Sequence, residues 1–332
     1  MAYRRLGKTG WEVSEISLGT WQVGGRWGDP FDEQLAERII QAAIDRGVNF
    51  IDTADVYGNR ASEAAVGRVV RRCNARAGHR VYVATKCGRF ISPHVNAGYT
   101  PAALRGYVEA SLRNTGFDRL DLIQLHCPPP AVYDRAEIFQ LFDTLKAQGK
   151  ILHLGVSVER VEEALKAIEY PNVATVQIIF NMFRHRPAED FFAAAQAHDV
   201  GVIARVPLAS GLLSGRFSRD TRFGPEDHRS FNRDGSAFDQ GETFSGVDYE
   251  QGLAAVAELK ALFPAQPALA AWALRWILMF PQVSTIIPGA SRVEQVAANV
   301  AAADLPALTP AQMQAVAGIY DRFFRAAVHA RW

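Results

Sequence analysis

Four side chains able to hold or transfer a proton lie at the ends of three apolar stretches of the sequence. Asp52 and Tyr57 belong to FIDTADVYG, Lys86 ends VATK, and His126 ends DLIQLH. A phenol has an ordinary pKa of about 10, which is high for proton donation near neutral pH. A neighbouring ammonium favours the phenolate, so we expect Lys86, held in place by Asp52, to lower the pKa of Tyr57. Tyr57 would then act as a general acid, and His126 would donate a hydrogen bond to the same substrate oxygen.

These groups together suit the reduction of a carbonyl group, in which a developing alkoxide needs a proton. No side chain can deliver the hydride, so the chemistry requires a nicotinamide cofactor. Each residue also has an ordinary structural explanation, because a lysine after a strand is usually solvated, a single histidine is often structural, and an aspartate often begins a turn. The occurrence of all four at the ends of consecutive strands favours the catalytic interpretation.

The stretch IIPGASR at 286–292 offers a second candidate site. Its Gly-Ser turn begins a predicted helix, and the free N–H groups at the start of a helix suit a phosphate. Arg292 adds a guanidinium there, and Gln295 and Asn299 lie about one and two turns further along. An ordinary helix start with an exposed arginine is the alternative interpretation.

Short apolar segments alternate with segments of helical periodicity along most of the chain. The strand-like segments are 16–19, 48–52, 80–85, 121–125, 151–156, 173–178, 201–206 and 283–287. The helix-like segments are 33–46, 60–72, 101–115, 134–148, 159–169, 187–198, 268–279 and 292–303. Eight alternations of this kind predict right-handed βαβ units closed into an α/β (β/α)8 TIM barrel. In that fold the chemistry lies at the carboxyl ends of the strands, which is where the four candidate residues fall.

Three pieces of the chain lie outside this repeat. Residues 2–15 predict an N-terminal β-hairpin at the bottom of the barrel, and residues 212–248 predict a long polar loop after strand seven. The C-terminal tail, 309–332, begins with a Thr-Pro helix signal. No shift of composition marks a linker, so we expect residues 1–332 to form a single domain.

The bulk composition argues against several classes of function. The 332 residues include 36 basic and 35 acidic side chains, a formal net charge of +1, which gives no field that favours nucleic acid or a membrane surface. The three cysteines lack metal-ligand spacing and resemble reduced intracellular thiols, so we expect no metal site. No apolar signal core begins the chain. The longest apolar run, 269–280, carries Arg275 and is short for a membrane span, so we expect a cytoplasmic protein.

Several motifs, in order along essentially the whole chain, resemble those of the aldo-keto reductase superfamily. They are LGTW, FIDTADVYG, VATK, DLIQLH, LGVS, PLASGLLSGR and IIPGASRVEQVAAN. The sequence looks most like the bacterial members related to aryl-alcohol-dehydrogenase-like enzymes and to potassium-channel β subunits. The resemblance implies that the four residues above form a catalytic tetrad with Tyr57 as the proton donor.

The resemblance also implies the residues that bind the cofactor. In similar proteins the positions of Ser157 and Gln177 hold the nicotinamide carboxamide, and Trp21 matches an aromatic that walls the substrate pocket. Thr20, Trp21 and Arg205 are further predicted contacts. The positions implied to line the pyrophosphate are Pro207, Leu208, Gly211 and Arg216. Those implied to hold the adenosine end, often with a 2′-phosphate, are Gly289, Ser291, Arg292, Gln295 and Asn299.

Three positions depart from the family pattern. Val158 stands where an Asn usually follows the Ser157 position, and Ala298 stands where a Glu commonly contacts the adenine. Arg205 replaces an aromatic that often stacks on the nicotinamide; a planar guanidinium can stack too, but it adds a charge beside the reacting ring. These departures leave NAD open as an alternative to NADP.

The sequence therefore predicts an NADPH-dependent oxidoreductase that reduces aldehydes or ketones reversibly. The alternative function is an NADP(H)-binding module that senses redox state for a protein partner, with little turnover. We expect the substrate pocket to include Trp21, Trp27, Tyr57 and His126. The sequence does not identify the small-molecule carbonyl or alcohol substrate, the physiological direction or the oligomeric state.

Overall fold

The computed structural model describes residues 1–24, 30–76, 78 and 80–332. Within these residues two short strands near the N-terminus, β1 (Tyr3–Arg5) and β2 (Glu12–Ser14), pair antiparallel. The strands that follow run parallel to one another and are β3 (Leu18–Gly19), β4 (Phe50–Asp52), β5 (Tyr82–Cys87), β6 (Leu120–His126), β7 (Ile151–Ser157), β8 (Val173–Ile179), β9 (Gly201–Arg205) and β10 (Val283–Ile286).

The parallel strands lie side by side in chain order, and each hydrogen-bonds to the next from β3 to β10. The first and last strands also meet, through bridges between Ile16 and Ile286 and between Gly19 and Gly289. In the described part of the chain, eight parallel strands thus close into a barrel, which confirms the predicted (β/α)8 fold. Because all the strands point the same way, their carboxyl ends meet at one rim.

Helices separate the strands and surround the barrel. They are α1 (Glu33–Ile44), α2 (Ala61–Asn74), α3 (Pro101–Thr115), α4 (Ala136–Ala147), α5 (Val161–Ala167), α6 (Phe192–Ala197), α7 (His228–Phe231), α8 (Tyr249–Leu262), α9 (Leu269–Leu278), α10 (Val293–Ala301), α11 (Pro310–Tyr320) and α12 (Ala326–Val328). Two begin at a Thr-Pro pair, one of them the predicted signal at 309: Thr100 accepts a hydrogen bond from the N–H of Ala103, and Thr309 forms a capping box with Gln312. Among the helices described, none has the length and apolar character needed to cross a membrane.

Apolar side chains from the strands and from the hairpin fill the inside of the barrel. The buried cluster there comprises Leu6, Val13, Phe50, Ala84, Leu122, Ile203 and Ile287. The hairpin lies at the amino ends of the strands, where the N–H of Lys8 donates to the carbonyl of Asp199, 2.7 Å away. Gly7 permits this close approach, because its φ is +49° and a Cβ would lie 2.1 Å from the backbone nitrogen of Gly201. The predicted hairpin at the bottom of the barrel is therefore confirmed.

Several helical regions differ from the sequence-based prediction, among them the short helix α7, which lies within the predicted loop. Helix α8 is not among the predicted helices. The residues it buries form a weak apolar stripe because two of them are Gly and Ala: they are Gly252, Ala255, Val256 and Leu259. The segment 187–198 does not form one regular α-helix, since its first five residues form a wider π-helical turn before α6 begins.

The far end of the long loop after β9 is ordered by contacts with the chain terminus. Arg184, itself buried, donates to the carbonyls of Gly241 at 3.3 Å and Ser245 at 3.1 Å. Its guanidinium lies 4.2 Å from the ring centroid of Trp332, and the indole N–H of Trp332 donates to Asp239 at 3.1 Å. Because Arg184 follows β8, these contacts hold this part of the loop at the carboxyl rim.

Candidate active site

The four candidate residues come from the carboxyl ends of successive strands. Asp52 is the last residue of β4, Lys86 is the last but one of β5, and His126 is the last of β6. Tyr57 lies five residues beyond β4. Because β4 pairs with β5 and β5 with β6, the strand order brings all four residues to one side of the rim.

The ammonium of Lys86 is the centre of this group. Lys86 is 0% exposed, and its Nζ donates to the Oδ1 of Asp52, to the carbonyl of Thr53 at 2.9 Å and to the phenolic oxygen of Tyr57 at 3.2 Å. An ammonium has three N–H donors, so every donor of Lys86 has an acceptor. Since Tyr57 accepts from Lys86, its own O–H remains able to donate elsewhere.

Asp52 is held through both carboxylate oxygens. While its Oδ1 pairs with Lys86, its Oδ2 accepts from the side-chain amides of Gln124 at 3.0 Å and Gln177 at 2.7 Å. Asp52 is 1% exposed. A buried carboxylate is stable only when paired and hydrogen-bonded, and these contacts meet that requirement.

The pKa values in this group show which effects dominate. Burial alone would lower the pKa of Lys86, but Asp52 and Tyr57 raise it above its ordinary value, so the ammonium is charged. Burial, with the charges of Asp52 and Glu242, raises the pKa of Tyr57 and Lys86 lowers it, and the net pKa lies above its ordinary value. The expected direction of the Lys86 effect is thus confirmed, but the pKa of Tyr57 does not fall below its ordinary value, because desolvation and the negative neighbours outweigh the cation.

His126 faces Tyr57 across the same space. The two rings are perpendicular, with centroids 6.0 Å apart. Burial lowers the pKa of His126 well below its ordinary value, and the charges of Lys86 and Arg89 add to the effect. The Nδ1 of His126 is buried and has no hydrogen-bond partner among the described residues. At neutral pH the ring is therefore uncharged and carries a single N–H.

Trp21 forms a wall beside Tyr57. Its ring stacks on that of Tyr57 at a centroid distance of 6.2 Å and also contacts His228 of the long loop at 5.1 Å. Thr20 is buried beneath the site, where its hydroxyl donates to the carbonyl of Asp52 at 3.0 Å. Trp27, the other predicted pocket aromatic, lies outside the described residues.

Ser157 and Gln177 lie next to each other, as their predicted shared role requires. They pair in the register of β7 and β8, and the Ser157 hydroxyl lies 3.5 Å from the Oε1 of Gln177. The amide nitrogen of Gln177 donates to Asp52 and, at 3.2 Å, to Gln124. Both N–H groups of the Gln177 amide are thus used inside the protein. Among the described residues, only the Ser157 hydroxyl donates to its Oε1, at 3.5 Å.

Arg205 ends β9 and is 6% exposed. Its guanidinium forms an ion pair with Glu242 of the long loop, donates to the carbonyl of Val158 at 2.8 Å, and lies 3.8 Å from the sulfur of Cys127. Burial alone would lower the pKa of Arg205, but Glu242 and other acidic neighbours raise it, so the group is charged. The side chain at the aromatic position of the family is therefore a charged group fixed on three sides.

The positions predicted to line the pyrophosphate lie directly after β9. Pro207, Leu208 and Gly211 belong to a tight turn in which Ser210 and Gly211 both have positive φ, 54° and 97°. The Ser210 hydroxyl donates to the carbonyl of Glu242 at 2.7 Å, which ties this turn to the long loop. Arg216 lies beyond the turn and is exposed.

The positions predicted to hold the adenosine end cluster at the start of α10. The N–H and hydroxyl of Ser291 both donate to the Oε1 of Gln295, at 2.7 and 3.1 Å. The side-chain amide of Asn299 donates to the carbonyl of Gly289 at 3.3 Å. Arg292 is the residue before α10 and is exposed. Because β9 and β10 are neighbours, this cluster borders the turn after β9.

Sequence reasoning missed two residues that hold the site together, Gln124 and Glu242. Gln124 is a polar residue in the middle of the apolar strand β6, and that placement is a signal that could have identified it. Glu242 lies in an irregular part of the long loop, where no periodicity marks it.

The comparison with protein families agrees with the fold. The model of the Aldo/keto reductase family matches residues 15–321. The chain therefore belongs to the aldo/keto reductase family, whose members are oxidoreductases acting on small molecules.

Individual relatives cover nearly the full chain. This chain is 29% identical, over 323 residues, to a probable voltage-gated potassium channel subunit beta of Arabidopsis thaliana. The match covers 93% of this chain and 94% of that protein. The solved structure of a glycerol dehydrogenase from Gluconobacter oxydans is similar with a TM-score of 0.77 and 32% identity, covering 97% of this chain and 95% of that one. An aldo/keto reductase from Klebsiella pneumoniae, solved in complex with NADP and acetate, is similar with a TM-score of 0.68 and 25% identity over 96% of each chain.

Proposed function

We propose that this protein is an NADPH-dependent reductase of aldehydes or ketones that also oxidises the corresponding alcohols. The observation that carries the proposal is the 3.2 Å contact between the Nζ of Lys86 and the phenolic oxygen of Tyr57. A phenol in this position is protonated at neutral pH, and the cation stabilises the phenolate that remains after donation. These are the properties that a general acid for alkoxide protonation needs.

The chain's own residues divide the work on the substrate oxygen. Tyr57 accepts a hydrogen bond from Lys86 and directs its own O–H towards the substrate, to which it gives its proton. The neutral ring of His126 donates its single N–H to the same oxygen and orients the carbonyl. In the reverse direction the phenolate takes the proton of the alcohol.

The residues at the rim fit a nicotinamide dinucleotide. In place of their own 3.5 Å contact, the Oε1 of Gln177 can accept from the N–H group of a carboxamide and the hydroxyl of Ser157 can donate to its carbonyl. Bound NADPH would supply the hydride. The exposed guanidinium of Arg292 at the start of α10 suits a 2′-phosphate, which is the feature that favours NADPH over NADH.

A second function is supported by the match to the probable channel β subunit of Arabidopsis thaliana. In that alternative the protein binds NADP(H) and reports its redox state to a protein partner with little turnover. The contact between Lys86 and Tyr57 favours the enzyme, because a sensor needs to bind the cofactor but needs no proton donor.

Cofactor binding and turnover, measured separately, distinguish the two. Binding of NADPH and NADH is followed by quenching of tryptophan fluorescence, and turnover is followed with aromatic aldehydes, aliphatic aldehydes, ketones and polyols. NADPH-dependent turnover of at least one of these classes supports the reductase. Tight NADPH binding with no turnover on any class, together with a stable co-purifying protein, would contradict it and support the sensor.

A further inference from the structure

Asp55 is a buried acid that the mechanism above leaves unused. It is 1% exposed, and neither of its carboxylate oxygens has a hydrogen-bond partner among the described residues. In the part of the chain that the structure describes, no other buried carboxyl group has both oxygens unpaired. Burying an unpaired carboxylate is costly, so a group of this kind either keeps its proton or serves a purpose that offsets the cost.

The backbone of Asp55 is attached to the catalytic centre. Its N–H donates to the carbonyl of Lys86 at 3.4 Å, and it lies only two residues from Tyr57. Two residues of chain span at most about 7 Å. The charge of Lys86 lowers the pKa of Asp55, so a charge on Asp55 in turn acts on the ammonium that supports the proposed proton donor.

The surroundings leave Asp55 as a group that can gain or lose a proton near neutral pH. The charged and titratable groups around it are Lys86 and Cys87 on β5, Arg60 and Glu63 at the start of α2, and Tyr99 and Tyr107 before and within α3. Burial, together with the charge of Glu63, raises the pKa of Asp55 to about 7, while the backbone N–H of Val56 and the charges of Arg60 and Lys86 oppose the rise.

The neighbours of Asp55 are otherwise satisfied or neutral. Glu63 has both oxygens paired, with the hydroxyl of Thr85 at 2.6 Å and the side-chain amide of Asn114 at 2.7 Å. Burial raises the pKa of Cys87 and of Tyr99, so that both are uncharged at neutral pH.

We propose that Asp55 is a positioning residue that makes the proton affinity of Tyr57 depend on pH, because its ionised carboxylate opposes the formation of the Tyr57 phenolate. The proposal rests on the proposed function for its consequence in catalysis. Below neutral pH Asp55 is uncharged, and Lys86 stabilises the phenolate without opposition from it. Above neutral pH its negative charge counteracts Lys86. The phenolate then forms only at a higher pH. The onset of alcohol oxidation moves to higher pH, and Tyr57 remains a proton donor over a wider range of pH.

The direct test measures the ionisation of position 57 without turnover. A trifluorotyrosine placed at position 57 has a lower intrinsic pKa than tyrosine, and its fluorine signal in NMR reports phenolate formation. The titration is run in the otherwise unchanged protein and in Asp55→Asn, which has nearly the same shape but no charge. Asp55→Glu tests rescue by a restored carboxylate. Asp121→Asn is the matched control, since Asp121 is a buried acid at the opposite end of the barrel, where it pairs with Arg80.

We expect the midpoint of position 57 to fall in Asp55→Asn by at most about one pH unit, the upper limit set by a unit charge roughly 10 Å away at an effective dielectric constant of about 20. Asp55→Glu should restore the midpoint, and Asp121→Asn should leave it unchanged. With the native tyrosine at position 57, the pH profile of alcohol oxidation should move down by the same amount in Asp55→Asn.

An unchanged midpoint in Asp55→Asn would overturn the proposal, as would an equal shift in Asp121→Asn. A uniform loss of activity at all pH values with no shift of the midpoint would also overturn it, because it would indicate a purely structural role. A shifted midpoint in a protein that turns over no carbonyl or alcohol would support the coupling and contradict the proposed function, so the two can fail separately.

Discussion

The side-chain nitrogen of Lys86 lies 3.2 Å from the phenolic oxygen of Tyr57, although the two residues are 29 positions apart in the sequence. The contact arises because β4 and β5 are neighbours and because the loop after β4 turns back over the end of β5. There the backbone N–H of Asp55 donates to the carbonyl of Lys86. The fold thereby places a buried cation against a phenol at the rim of the barrel.

Replacing Lys86 by Met should remove most carbonyl reduction and also destabilise the fold. Asp52 would remain as a buried carboxylate without its cation, and breaking a buried pair in this way costs about 3–5 kcal/mol. Without the ammonium that supports Tyr57 as the proton donor, turnover should fall by roughly 100-fold or more. Urea unfolding and steady-state rates measure the two effects.

The control for this substitution is Lys150→Met. Lys150 pairs with Glu109 at 2.5 Å in a partly exposed position, so its loss should change the free energy of unfolding by less than about 1 kcal/mol and leave turnover unchanged. Similar losses in the two variants would show that Lys86 has no special place in the site.

The strand ends of the site are predictable from the sequence, whereas their pairing is not. Asp52 and His126 each follow an apolar run directly, and that local pattern marks them without any knowledge of the fold. The contacts of Asp52 with Gln124 and Gln177 depend on the register of the strands from β4 to β8, closed around a barrel, which no local pattern encodes.

Two features of the site depend on three-dimensional packing alone. The partner of Arg205 is Glu242, 37 positions away in an irregular loop, so neither residue signals the other in the sequence. The direction of the pKa shift of Tyr57 depends on how fully its hydroxyl is desolvated, and the sequence shows the neighbouring lysine but not the burial.

Replacing Arg292 by Ala should weaken the use of NADPH and leave the use of NADH almost unchanged. A hydrogen bond to a charged group is worth about 1.5–3 kcal/mol, so the KM for NADPH should rise roughly tenfold or more. Arg322→Ala is the matched control, because Arg322 is an exposed arginine of the C-terminal tail, where it pairs with Glu258 of α8. Equal changes in the KM values of both cofactors would contradict the assignment of Arg292 to a 2′-phosphate.

Replacing Asp55 by Asn should stabilise the protein at alkaline pH. Burial raises the pKa of Asp55 from 3.8 to about 7, so its contribution to stability is complete below about pH 4 and is lost as the pH rises through about 7. The asparagine side chain of the variant would stay neutral throughout. The free energy of unfolding of the variant, relative to wild type, should therefore rise between about pH 5 and pH 8. Since one pKa unit corresponds to about 1.4 kcal/mol, the rise should be a few kcal/mol at most.

Urea unfolding at these two pH values measures this difference. Asp45→Asn serves as the control for removing a carboxylate at the exposed surface, where Asp45 accepts from the side chain of Gln41. A difference between Asp55→Asn and wild type that is the same at both pH values would mean that Asp55 does not titrate in this range.

The central claim, that Tyr57 is the proton donor in carbonyl reduction, is tested most directly by a single turnover. Protein with bound NADPH is mixed with 4-nitrobenzaldehyde, and the absorbance of the reduced nicotinamide is followed in wild type, in Tyr57→Phe and in Tyr82→Phe, whose tyrosine stacks on Trp11 at the other end of the barrel. Wild type and Tyr82→Phe should oxidise NADPH rapidly, while Tyr57→Phe should bind it equally well but oxidise it at least about 100-fold more slowly. Oxidation by Tyr57→Phe at the wild-type rate would contradict the account.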